Sequence, residues 1–142
     1  MKRCLVPYER LDISCNAESV NGEDIQNLFD EQEYKGPSEA ISKWQSNLSK
    51  GGKSLNITIS VKDEYPPIIL THYALKSADG APDRDPKHWK LFYFDEEDRF
   101  VPNHIHEQKD VAEQWNGRWQ WREWKIENRI PSRKFLLRII ST

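Results

Sequence analysis

A chain of 142 residues with six Trp, five Tyr and five Phe has enough apolar surface for one aromatic-rich core and is too short for two ordinary domains, so residues 1–142 are read as a single domain. Lys and Arg number 21 against 23 Asp and Glu, and a net charge of −2 gives no field that would gather phosphates, which excludes a general nucleic-acid binder. Cys4 and Cys15 match neither a disulfide scaffold nor a zinc site and read as idle thiols.

The N-terminal Met1-Lys2-Arg3 is followed by no apolar run able to form a signal-peptide core. No stretch of about 18 apolar residues offers a membrane span. A cytoplasmic or nuclear setting is therefore expected. Residues 23–31 and 36–45 are the only helix candidates, and neither carries a sustained apolar stripe.

From Leu55 onward the pattern is one of strands. In 55–61, Leu55, Ile57, Ile59 and Val61 alternate with Asn56, Thr58 and Ser60, as a strand with one buried face requires. Pro66 and Pro67 end that pairing, and 68–77 resumes as a strand rich in β-branched and aromatic residues. Residues 79–86, with one Gly, two Pro and three Asp, form a loop. A strand over 88–94 ends in the acidic turn Asp95 to Asp98. A short strand within 101–110 follows, and then strands over 118–126 and 134–140. Many short strands with regular turn signals, and no helix alternating with them, predict an all-β antiparallel sandwich or barrel.

The stretch from Tyr73 to Phe92 carries Tyr73-x-Leu75-x-Ser77, then Arg84-Asp85-Pro86-x-x-Trp89 and a strand. That order of residues resembles the discoidin-like family, also called galactose-binding-domain-like or coagulation-factor C-type. Leu28-Phe29-Asp30 and Ser42-Lys43-Trp44 look like the family's Phe-Asp-Gly and Thr-Lys-Trp pair, with Glu31 in place of Gly and Ser42 in place of Thr. Phe135 and Arg138 fill the places of the aromatic and the Arg in the family's last strand. Asp95-Glu96-Glu97-Asp98 departs from the usual Ser-Asn-Asp-Gly turn. The resemblance covers roughly residues 12–141 and is weakest over 95–117. It implies a jelly roll of about eight strands whose end loops bind a carbohydrate, a lipid head group or a protein, and which is very rarely catalytic. It also implies a structural calcium near Asp30 and Ser42, although Ile139 to Thr142 lacks the acidic residue that often completes that site. The alternative for these residues is that Asp30 caps a turn and Trp44 plugs the core.

The segment 115–124 holds four of the six Trp. In a strand, Trp119 and Trp121 share one face, and Arg118, Gln120, Arg122 and Trp124 the other. If Trp124 and Ile126 face the core, Trp119 and Trp121 face outward as platforms for a sugar ring or a protein partner. The competing reading has these indoles covering the open side of the sandwich, interleaved with Arg stems. His104 and His106, two residues apart, could point the same way, but two imidazoles without a third ligand do not make a zinc centre. No nucleophile elbow, phosphate loop or zinc signature supports an enzyme.

The sequence thus predicts a non-catalytic recognition module for a carbohydrate or protein ligand, bound by loops 31–36, 79–88 and 115–121. Trp119, Trp121, Arg118, Arg84 and Asp83 are the candidate binding residues. The alternative function is an adaptor subunit of a cytosolic assembly, of the kind found in ubiquitin-linked degradation or ciliary transport, with no small-molecule ligand.

Overall fold

The computed structural model describes residues 6–16, 54–76, 86–109 and 121–141. They contain a 3-10 turn (Tyr8–Arg10) and seven strands: β1 (Leu11–Cys15), β2 (Leu55–Val61), β3 (His72–Lys76), β4 (His88–Tyr93), β5 (His106–Gln108), β6 (Trp121–Lys125) and β7 (Lys134–Ser141). All pairings are antiparallel. One sheet has the order β1-β2-β7-β4-β5, and β3 pairs with β6 in a second. No helix among the described residues is long and apolar enough to cross a membrane.

The alternation in β2 does what its sequence predicts. Leu55, Ile57 and Val61 are buried while Asn56, Thr58 and Ser60 are not. Leu55 and Ile57 meet Trp89 and Leu91 of β4, Phe135 and Leu137 of β7, and Ile126 just after β6, in one cluster between the sheets. Trp89 lies at its centre with no exposed surface. Burial of side chains of this size, each worth about 1.5–3 kcal/mol, dominates what holds the two sheets together.

The strand expected over 68–77 is shorter. Ile68 forms only an isolated bridge with Ser132, and regular pairing starts at His72. The intervening backbone is bonded elsewhere: Leu70 O accepts from the buried Asn128 side chain, and Thr71 O from Ile126 N. β1 was not anticipated. Leu11, Ile13 and Cys15 do alternate with Asp12 and Ser14, but five residues give a weak signal, and the partner strand lies far along the chain. The candidate helices at 23–31 and 36–45 lie outside the described residues.

The outer face of the larger sheet carries a second, smaller apolar cluster. The chain beyond β4 turns back through an isolated Phe94–Phe100 bridge and sets the Phe100 ring 5.0 Å from that of Phe92. The acidic turn has a defined construction. Asp95 Oδ1 accepts the backbone N–H groups of Glu97 and Arg99, Oδ2 accepts from Arg99 Nε, and Asp98 adopts φ 61°. Asp tolerates this left-handed conformation better than most residues, which lets it stand where the resembled turn has Gly.

Candidate ligand-binding end of the sandwich

The register places one set of strand ends at the same end of the sandwich. Cys15 pairs with Ile57, Leu55 with Ile139, His88 with Ser141, and Trp89 with Gln108. In the second sheet Lys76 pairs with Trp121, on the same side of the Tyr73–Trp124 level. The connections 16–54, 77–87 and 109–120 therefore all leave and re-enter at this end. The opposite end is closed by the described turns 62–71, 94–105 and 126–133.

An aromatic platform fixes the strands from which these connections spring. Trp89 Nε1 donates to Tyr73 Oη at 2.7 Å, and Tyr73 Oη is 2.6 Å from His106 Nδ1. Trp124 stacks on Tyr73 with centroids 5.4 Å apart and meets Trp89 edge-on at 5.0 Å. Its Nε1 donates to Gln108 Oε1 at 3.0 Å. Four strands are thus tied through ring contacts and indole hydrogen bonds, which align groups as well as burying them. Burial pushes the Tyr73 phenol up to about 12, against a smaller lowering by the Trp89 hydrogen bond, so it stays protonated. Burial also holds His106 below the usual imidazole value, and the nearby His104 adds to this. With Tyr73 Oη accepting from Trp89, its own proton points to a neutral His106 Nδ1.

Near the mouth of this end, the exposed Arg122 guanidinium lies 5.8 Å from the Trp124 ring centroid. His88 Nε2 is 2.8 Å from Glu107 Oε2 and links the first residue of β4 to β5. The His88 hydrogen bond is the main reason Glu107 sits below the usual carboxylate range; burial opposes it, and Lys90, Lys109 and His104 assist. Trp124, Gln108, Glu107 and Arg122 were not among the residues singled out for binding. An inward Trp124 is one of the two alternatives the alternation of 118–126 leaves open, whereas isolated Gln and Glu side chains in a three-residue strand carry no sequence signal of their own.

His104 and His106 do not point the same way. His106 reaches Tyr73 between the sheets, whereas His104 packs edge-on against Phe92 on the outer face. Regular alternation begins only at His106, so the period-2 argument does not extend back to His104. Among the described residues, no group of three His, Cys, Asp or Glu is arranged to hold a metal. Asp30 and Ser42, the calcium candidates, lie outside the described residues, as do Asp83, Arg84, Arg118 and Trp119. Trp121 is described through its backbone, which opens β6 opposite Lys76.

The described strands form an antiparallel β-sandwich with the fold of galactose-binding-domain-like jelly rolls. Solved structures share it. The family 32 carbohydrate-binding module of Clostridium perfringens NanJ, solved with galactose, superposes with a TM-score of 0.66 at 8% identity, over 94% of this chain and 84% of that one. A chain holding two such modules of Clostridium perfringens ZmpB, solved with GalNAc, matches with a TM-score of 0.69 at 10% identity, over 94% of this chain and 30% of that one. The family 32 module of Streptococcus pneumoniae EndoD matches with a TM-score of 0.61 at 13% identity, over 92% and 82%. No protein-family model and no curated protein matches the chain.

Proposed function

We propose that this chain is a non-catalytic carbohydrate-binding module that holds a galactose-type sugar at the end of the sandwich where connections 16–54, 77–87 and 109–120 converge. The observation that carries the reading is that convergence, in a fold whose solved neighbours include modules bound to galactose and to GalNAc. Two of the three connections bring the residues best suited to a sugar: Asp83 and Arg84 on one, Arg118 and Trp119 on the other, with Trp121 at the start of β6. An indole stacks on the apolar face of a pyranose, while Arg and Asp hydrogen-bond its hydroxyls. The Tyr73–Trp89–Trp124–Gln108 platform supports this by holding the loop anchors in place, which lowers the ordering cost of binding.

A glycan array probed with the wild type and with Trp119→Ala/Trp121→Ala tests the proposal, with Asp83→Ala/Arg84→Ala as a second variant. Terminal galactose or GalNAc glycans should bind the wild type and be lost in both variants, each with a native melting transition. Absence of glycan binding by the folded wild type would refute it.

A further inference from the structure

The outer face of the five-stranded sheet, one residue inward from the strand ends that carry the loops, holds a cation with spare donors in a shaped setting. Arg138 of β7 lies with its guanidinium carbon 5.1 Å from the Phe92 ring centroid and 5.9 Å from that of Phe100. Its Nε donates to Asn56 Oδ1 at 2.9 Å, which fixes the plane of the fork. This is its only hydrogen bond among the described residues, and it has no ion pair there, so both terminal nitrogens keep their donors. Arg138 is half-buried, and beneath it Phe92 and Leu136 are 4% and 9% exposed.

Its direct cross-strand partner on β4 is Lys90, which puts two cations side by side on one face. Like charges directly opposite each other destabilise a sheet. Glu107, in register with Lys90 on its far side, accepts from His88 and offsets part of the Lys90 charge, which leaves Arg138 as the cation of this pair with no described acid of its own. In the 95–98 turn, Asp95 and Glu97 pair with Arg99 and Asp98 with Lys134, and Asp12, the acid of this face on β1, stands opposite Ser60 and two strands from Arg138. A half-buried guanidinium, pinned at Nε and presenting two free nitrogens beside a lysine, has the geometry that accepts a carboxylate in two parallel hydrogen bonds. Next to it stand the Phe100 ring, 39% exposed, and the Asn56 amide, which are an apolar surface and a hydroxyl partner. A ligand that matches all of these has a carboxylate, an apolar ring face and hydroxyl groups.

We propose that this face is a second ligand site, which takes the carboxylate of an acidic sugar on Arg138 and Lys90, with Asn56 on a hydroxyl and Phe100 against the ring. It lies on the face of the sheet and not among the loops, and does not depend on the loop-end reading. Across the sheet, neighbouring strands are about 4.8 Å apart, so Asn56, Arg138 and Lys90 span a width suited to one or two sugar rings.

The test is calorimetric and NMR titration of the whole chain with trigalacturonate, with neutral galactotriose and sodium acetate as comparison probes at matched ionic strength. Trigalacturonate should shift the backbone amides of Asn56, Lys90, Phe100 and Arg138, and Arg138→Gln should weaken it about tenfold or more. Lys90→Gln, which leaves the Phe92 packing in place, should weaken it less and reduce its salt dependence. Galactotriose should leave the Phe100 amide unmoved and bind Arg138→Gln as it binds the wild type, whether or not it binds at the loop end. Equal shifts from acetate, shifts confined to the loop end, or full affinity in Lys90→Gln and a folded Arg138→Gln would each overturn the proposal.

Discussion

Replacing Tyr73 by Phe removes a single oxygen from the centre of the platform. Trp89 has no exposed surface, and its indole N–H is bonded to that oxygen at 2.7 Å. Without it the N–H is stranded in an apolar site where water does not reach. Leaving a buried donor unsatisfied costs about 1–3 kcal/mol, far more than the roughly neutral exchange of both partners. His106 loses its partner as well, but it is only half-buried and turns to solvent at little cost. For a domain of this size the penalty corresponds to a fall in Tm of about 3–12 °C. Tyr93 is the control. It also packs against the core but makes no described hydrogen bond through its hydroxyl, so Tyr93→Phe should stay within about 0.5 kcal/mol of the wild type. Urea unfolding followed by Trp fluorescence should show a lowered midpoint with unchanged slope for Tyr73→Phe. Equal midpoints for the two variants would refute the view that the indole–phenol bond organises the platform.

Stability should fall on acidification in two stages. His106 is depressed in the folded state, so its contribution is complete above about pH 6.5 and declines as pH drops through that value toward its folded one. Asp95 and Glu107 are also depressed, Asp95 chiefly by the Arg99 backbone hydrogen bond and Glu107 by His88; their contribution is lost only when pH falls through their lowered values. A series of urea midpoints from pH 8 to pH 3 checks this, and His106→Gln should flatten the upper stage alone. Asp98→Gly should raise stability by about 0.3–1 kcal/mol, because Gly adopts φ 61° without the Cβ penalty and the exposed Asp98–Lys134 pair is worth little; a lowered Tm would contradict this. Ser132→Ala should cost about 1–3 kcal/mol in the same assay, since its buried hydroxyl lies within hydrogen-bond distance of both Phe94 O and Lys134 O.

How far the sequence could be read depended on whether local pattern or distant pairing decides each element. β2 and β7 were legible because long alternating or apolar runs leave few options for which face is buried. Trp89 was legible through the Arg-Asp-Pro-x-x-Trp resemblance, and it does sit at the centre of the core. β1 was not, since five residues become a strand only by pairing with a segment more than forty positions away. The shortening of 68–77 could not be anticipated either, because it depends on Asn128 capturing a carbonyl from another part of the chain. The resemblance also picked out Phe135 and Arg138. The structure sets them on opposite faces of β7, Phe135 in the core and Arg138 over Phe92, as their odd spacing requires. For binding, the sequence supplied the Trp-rich segment and the Asp83-Arg84 loop, while the grouping of Arg122, Trp124, Gln108 and Glu107 near the same end depends on sheet topology.

The most direct test of the central claim is an NMR titration of the wild-type chain with galactose and with GalNAc. Binding at the loop end predicts saturable shifts for His88, Gln108, Arg122 and the Trp119 and Trp121 indoles, with the Asp95 to Phe100 turn unmoved. Shifts centred on that turn, or none at all at saturating sugar, would contradict it.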